Sequence, residues 1–145
     1  MSYRKTAHSV YDLKYHLVWI TKYRKGVLRG EIGKRLRELV RETCQQQDVQ
    51  ILSGAIQPDH VHLFVSVPPH LAVSELMQRI KGRSSRQQLQ EFGELSRQFW
   101  GRHLWARGYF AASAGNVTDD MVKEYIASQG KEPPDNVDHF QVTEL

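Results

Sequence analysis

The stretch Val49–Val67, VQILSGAIQPDHVHLFVSV, decides the fold. Val49 to Ile56 and His60 to Val67 both read as strands, being rich in β-branched and aliphatic residues. Gln57-Pro58-Asp59 between them is a short turn, because proline presets its φ and aspartate bonds its own backbone. Pro68-Pro69 ends the second strand. The pair is therefore expected to form an antiparallel hairpin. Side chains alternate faces along a strand, so His60 and His62 share one face and Val61 points the other way. Two imidazoles placed like this can share a metal ion. The competing reading is two surface histidines satisfied by hydrogen bonds, and a metal would need a third ligand from elsewhere.

Working outward, Leu13–Thr21 (LKYHLVWIT) reads as an earlier strand and Lys22–Gly26 (KYRKG) as a basic turn. From Glu31 to Gln47, Ile32, Leu36, Leu39, Val40 and Thr43/Cys44 recur at helical spacing with one apolar stripe. Cys44 lies on that stripe and is expected to be buried and inert. Val73, Leu76, Met77 and Ile80 open a second helix running to about Phe92, although Gly82 weakens it by roughly 1 kcal/mol. FWGRHLW is a connector, and Arg107–Ala114 a fourth strand. Thr118 can cap a third helix, with Asp119 and Asp120 in its first turn, ending near Gln129-Gly130. The order βαββαβ plus a helix is that of ferredoxin-like and RNA-recognition domains. The expected class is α+β: an antiparallel sheet, both long helices on one face, and a C-terminal helix carrying Tyr125. Residues 1–132 make one domain, and residues 133–145 an acidic tail.

Length and composition agree. At 145 residues, 40% hydrophobic and 25% charged, the chain can bury a core and is neither fibrous nor wholly disordered. A single cysteine excludes an internal disulfide and a CxxC zinc site. Without a long apolar run or a leader-like start, a cytoplasmic protein with no membrane partner is expected. The net charge of +4 is unevenly spread. Residues 1–47 carry +7, residues 79–117 carry +5, and residues 118–145 carry −5. Two basic stretches can attract a phosphate backbone, or they can be solvated helix faces balanced by the tail. Arginine dominates the second stretch and suits phosphate through its planar fork.

In TDDMVKEYIASQ, Met121, Val122, Tyr125 and Gln129 share a helix face by three- and four-residue spacing. Tyr125 alone would read as a core residue. Gln129, one turn further, wants a polar partner and its carbonyl oxygen could complete a His60–His62–Gln129 site, with the Tyr125 hydroxyl beside the metal.

These residues resemble a known family. PDHVHLFV is similar to the histidine-hydrophobe-histidine (HUH) strand of single-tyrosine transposases of small bacterial insertion sequences. LKYHLVWITKYRKGVL, VPPHLAVSELMQRIKGRSSR and FWGRHLWARGYFAASAGNVTDDMVKEYIASQ resemble its other blocks, so roughly residues 10–130 are covered. The resemblance implies that His60, His62 and Gln129 hold a divalent metal and that Tyr125 is the nucleophile. It implies a homodimer whose active sites are shared between subunits, acting on single-stranded DNA with hairpin ends. Asp59 adjoins His60, is expected to face away from the metal, and is a turn residue with at most a supporting role.

The chemistry then runs as follows. Tyrosine has a reference pKa near 10, so phenolate formation at neutral pH costs roughly 4 kcal/mol. A divalent cation would polarise the scissile phosphate and offset that cost, magnesium being favoured by abundance and manganese by imidazole affinity. Tyr125 would form a 5′-phosphotyrosine bond and release a 3′-hydroxyl, so that a 3′-hydroxyl can later reseal DNA. Lys22, Arg24, Lys25, Arg83 and Arg86 are candidate phosphate contacts. Tyr23, Trp100 and Trp105 could stack on bases, though packing is favoured for both tryptophans. His16 is expected to be structural, and His8, His70, His103 and His139 to lie in loops or the tail. The alternatives are a non-catalytic nucleic-acid-binding module or domesticated regulator, and a phosphodiesterase that uses water.

Overall fold

The computed structural model describes residues 3–99, 103–114 and 119–128. A two-stranded ribbon, β1 (Arg4–Lys5) and β2 (Val10–Tyr11), precedes the central strand β3 (Lys14–Ile20). A 3₁₀ turn (Lys22–Arg24) leads to α1 (Gly30–Gln46), then the hairpin β4 (Gln50–Gln57) and β5 (His60–Ser66). Helices α2 (Val73–Glu91) and α3 (Gly93–Gln98), strand β6 (Phe110–Ser113) and helix α4 (Asp119–Ser128) follow. The four long strands form one antiparallel sheet in the order β4-β5-β3-β6. This is the ferredoxin-like arrangement expected from the element order. The proposed tail and Trp100 lie outside the described residues.

Side-chain alternation divides the sheet into two layers. Leu17 and Trp19 of β3, with Val61, Leu63 and Val65 of β5, meet Leu36, Val40, Leu76, Met77 and Ile80 of α1 and α2. Val18 and Ile20 point to the other face, where Val122 and Ile126 of α4 cover them. That second cover explains why the last four residues of β3 are all buried rather than alternating. The apolar run LVWI has a layer on each side.

Three features escaped sequence pattern. The β1–β2 ribbon has only two residues a side, too few for periodicity to register. Arg4 ties it down, donating to the Ser66 carbonyl (3.0 Å) and the Asp48 carbonyl (2.9 Å). A bulge lies in β4: Ile51 pairs with Val65 and Ser53 with Phe64, so Leu52 is the extra residue. The bulge restores Ile51, Gly54 and Ile56 to the helix side. Strand β6 starts three residues later than expected, and before it the Lys81 ammonium donates to the Ala106 (2.9 Å) and Gly108 (2.8 Å) carbonyls. Helix α3 fills the six residues between the expected second helix and the expected connector.

Two buried hydrogen bonds tie α2 to its neighbours. Gln88 donates to the Ile32 carbonyl of α1 (2.9 Å), and Trp105 Nε1 donates to Ser84 Oγ (2.9 Å). Trp105 is thus a core residue, edge-on to Trp19. Cys44 is buried, and burial pushes its thiol up to about 12, as an inert residue requires.

Gly82 lies inside α2, and a Cβ there would meet nothing within 4 Å. Gly82→Ala is expected to stabilise the protein by about 0.5–1 kcal/mol. A rise in thermal midpoint checks this, and a fall would mean the position is more crowded than its geometry indicates.

Candidate active site

Strand register assembles the histidine face. In the β3–β5 ladder His60 lies opposite Ile20, His62 opposite Val18, and Phe64 opposite His16. All six side chains therefore share the face that α4 covers. Among them His60 and His62 are half-buried.

Each histidine has a defined neighbour. His60 Nδ1 lies 2.8 Å from Asp59 Oδ1. If the imidazole is neutral, its Nδ1 proton goes to that carboxylate and Nε2 keeps its lone pair. Asp59 was expected to face away from any metal. It belongs to the turn rather than the strand, so alternation does not bind it, and its carboxylate turns back onto His60. Arg24 Nε reaches the other oxygen, Oδ2, at 3.5 Å. The backbone is bolted as well: the Thr21 N–H donates to the Asp59 carbonyl (2.9 Å) and the Leu28 N–H to the Pro58 carbonyl (2.9 Å). His62 Nε2 lies 3.1 Å from Nδ1 of His16, whose ring stacks on Phe64 with centroids 4.4 Å apart. His16 was read as structural, yet it touches the site. Its contact became visible only through the pairing of the first and third strands.

The tyrosine helix lies across this face. Val122 and Ile126 anchor α4 on Val18 and Ile20, and the Tyr125 ring packs against Phe110 (5.7 Å between centroids). The Tyr125 hydroxyl is buried and has no hydrogen-bond partner among the described residues. Burial pushes its pKa above 10.0. Gln129 lies outside the described residues. Among those described, no cluster of three or more histidine, cysteine or acidic residues is arranged around a metal position.

A groove of about 1680 Å³ opens between α2, the 3₁₀ turn and the 103–109 segment. Lys22, Tyr23, Arg24, Arg86 and Arg107 are among its lining residues. Tyr23 is 68% exposed, with the ammonium groups of Lys22 and Lys25 at 5.3 and 5.9 Å from its ring centre. Tyr23 and Arg24 both have positive φ, 61° and 53°, a costly conformation for side chains with a Cβ. Lys25 also donates to the Gln98 carbonyl (3.0 Å). Arg83 turns the other way: it donates to Glu42 of α1 at 2.6 Å and is not among the groove's lining residues. The five candidate cations are therefore not one cluster.

The fold and this face fit a protein of the HUH single-tyrosine transposase class. The chain belongs to the IS200-like transposase family, whose family model matches residues 9–129. It is 34% identical over 120 residues to the ISDra2 transposase TnpA of Deinococcus radiodurans, covering 83% of this chain and 86% of that one. It is 33% identical over 129 residues to the transposase for insertion sequence element IS200 of Salmonella typhimurium, covering 89% and 84%. A crystal structure assigned as a transposase from Deinococcus radiodurans superposes with a TM-score of 0.81 at 31% identity, over 87% of this chain and 97% of that one. A REP-associated tyrosine transposase bound to a REP hairpin shares the fold, with a TM-score of 0.54 at 16% identity over 88% and 73%. No helix among the described residues is long and apolar enough to cross a membrane.

The burial of Tyr125 has a pH signature. Its folded pKa is raised, so its contribution to stability is complete below the unfolded value of about 10 and is lost as pH climbs through the folded value. Near-ultraviolet titration of the wild type minus Tyr125→Phe, without added metal, is expected to show a phenolate midpoint above 10. A midpoint at or below 10 would contradict the burial.

Proposed function

We propose that the chain cuts and rejoins single-stranded DNA through a covalent Tyr125 intermediate, with a divalent metal assisting. The observation that carries this reading is the Tyr125 hydroxyl, buried without a partner among the described residues, on a helix covering the His60–His62 face. A core tyrosine normally finds a hydrogen bond, and leaving one unmade is costly. A scissile phosphate against that hydroxyl would supply one.

The residues fit a metal. Two imidazoles on one face, one with its Nδ1 facing a carboxylate, are suitable nitrogen donors. Gln129 is the proposed third ligand, and Mg²⁺ or Mn²⁺ the proposed ion. When bound, the ion supplies positive charge at the phosphate and the developing phenolate.

The chain does the rest. Asp59 fixes the rotation of His60, and Arg24 holds Asp59. Tyr125 oxygen attacks phosphorus and loses its proton; the bond to the 3′ oxygen breaks, and that oxygen leaves as a hydroxyl. The phosphodiester bond is exchanged rather than hydrolysed, so the reverse attack by a 3′-hydroxyl reseals a strand. The strand would run in the groove, with Lys22, Arg24 and Arg86 on phosphates and Tyr23 stacked on a base. Lys25 is not among the lining residues but neighbours the Tyr23 ring and donates to the Gln98 carbonyl, and Arg83, engaged by Glu42, serves the α1–α2 contact instead. Hairpin-ended DNA as the substrate and a homodimer that shares its active sites complete the proposal. The REP-hairpin complex of the distant relative agrees with the first of these.

Labelled single-stranded oligonucleotides tiled across the DNA flanking the gene, incubated with Mg²⁺ or Mn²⁺, test the reaction. A metal-dependent covalent protein–DNA band is expected, absent in Tyr125→Phe and strongly reduced in His62→Ala. Cleavage without an adduct would transfer the nucleophile's role to water. Binding without cleavage would leave a nucleic-acid-binding module.

The groove makes a separate prediction. Arg86→Ala should weaken single-strand binding and reduce its salt slope by about one unit. Arg83→Ala should spare binding and lower stability by no more than about 1 kcal/mol, as befits an exposed ion pair. Equal losses of binding in both variants would sink the assignment of the groove.

A further inference from the structure

The geometry points to His16 as an internal competitor for the metal: it holds the Nε2 of His62, and that hold must break before His60 and His62 can bind one ion together. The inference rests on the metal site proposed above.

Register gives the direction. Along β5 the order on this face is His60, His62, Phe64, and across the ladder these meet Ile20, Val18 and His16. His16 therefore sits on the side of His62 away from His60. The His62 ring reaches it diagonally, with its Nε2 3.1 Å from His16 Nδ1. An imidazole nitrogen that shares a proton with another imidazole has no lone pair left for a cation. Drawn toward Phe64, this nitrogen is also drawn away from the space His60 can reach.

The two histidines of the pair are thus treated differently. Asp59 engages His60 at Nδ1 and leaves Nε2 open, which aids coordination. His16 engages His62 at Nε2 itself, which opposes it. His16 is not a loose side chain that yields at no cost. Its ring is stacked on Phe64, with only 20° between the planes, and it is half-buried. Binding must exchange a formed hydrogen bond for a coordinate bond, which lowers affinity and lets the site empty readily.

Mn²⁺ binding, followed by the electron paramagnetic resonance signal of the free ion, tests this without reference to catalysis. His16→Phe keeps an aromatic ring on Phe64 but cannot hold His62. It is expected to bind Mn²⁺ about five-fold more tightly, the worth of one ordinary hydrogen bond. His16→Gln, which can still reach His62, should stay near the wild type. Unchanged or weaker binding in His16→Phe would overturn the competition and make His16 a residue that orients His62. In the wild type, nitrogen-15 spectra offer a check that needs no variant. Through-bond coupling between the two rings should vanish as Mg²⁺ saturates the site, and its persistence would refute the inference. The underlying metal site has its own control. If His60→Ala and His62→Ala bind Mn²⁺ as the wild type does, the site itself is wrong. If they lose it and His16→Phe gains nothing, only the competition is wrong.

Discussion

The antiparallel ladder between β3 and β5 runs unbroken from Lys14 opposite Ser66 to Ile20 opposite His60. Its period of two sends Leu17, Trp19, Val61, Leu63 and Val65 into the helical layer. The same period sends His16, Val18, Ile20, His60, His62 and Phe64 to the other side. A slip of one residue would bury the histidines among α1 and α2 and expose the core. Core and site are therefore specified by one constraint, and neither can be altered in register without the other. The bulge at Leu52 falls in β4, the neighbouring edge strand, where the irregularity leaves the β3–β5 register untouched.

The turns at one end of this ladder are equally constrained. Backbone hydrogen bonds from Thr21 and Leu28 reach the Pro58-Asp59 turn, and Arg24 closes on the Asp59 carboxylate. The basic turn is thereby tied to the histidine strand. Its two left-handed residues, Tyr23 and Arg24, are held in place by this bolting. The exposed ring of Tyr23 lines the groove with the ammonium groups of Lys22 and Lys25 beside it as a consequence.

Local patterns made much of this legible. Strands β3, β4 and β5 and helices α1 and α2 follow from apolar period and turn residues, and their ends fall within a residue or two. His60 and His62 share a face by the same arithmetic. The helical spacing of Tyr125 and Gln129 suggested a site shared with His60 and His62, but only resemblance could assign it, because nothing local says which face α4 covers. His16 was read as structural, and its contact with His62 was not legible because the partner is 46 positions away and only the sheet order brings them together. The supporting role of Asp59 could be named from its place in the turn, but its hold on His60 Nδ1 depends on how the turn folds back. Arg83 and Arg86 look equivalent on the page, but helix geometry sends one to Glu42 and the other to the groove.

The attachment of α4 differs in kind from the rest of the packing. The main core is a continuous cluster spanning two helices and the sheet, whereas α4 rests on the sheet chiefly through Val122 and Ile126. Burying two aliphatic side chains is worth about 3–6 kcal/mol before the cost of ordering them. Among the described residues the apolar anchorage of the tyrosine-bearing element is thus much the smaller of the two, and elements so held are the ones that open while a sheet stays folded. Over evolutionary time this uncouples two kinds of decay. On the reaction proposed above, substitutions in α4 would end the chemistry while the sheet, the basic turn and the groove persist, so a copy of this gene would outlive its own catalysis as a folded, cationic domain.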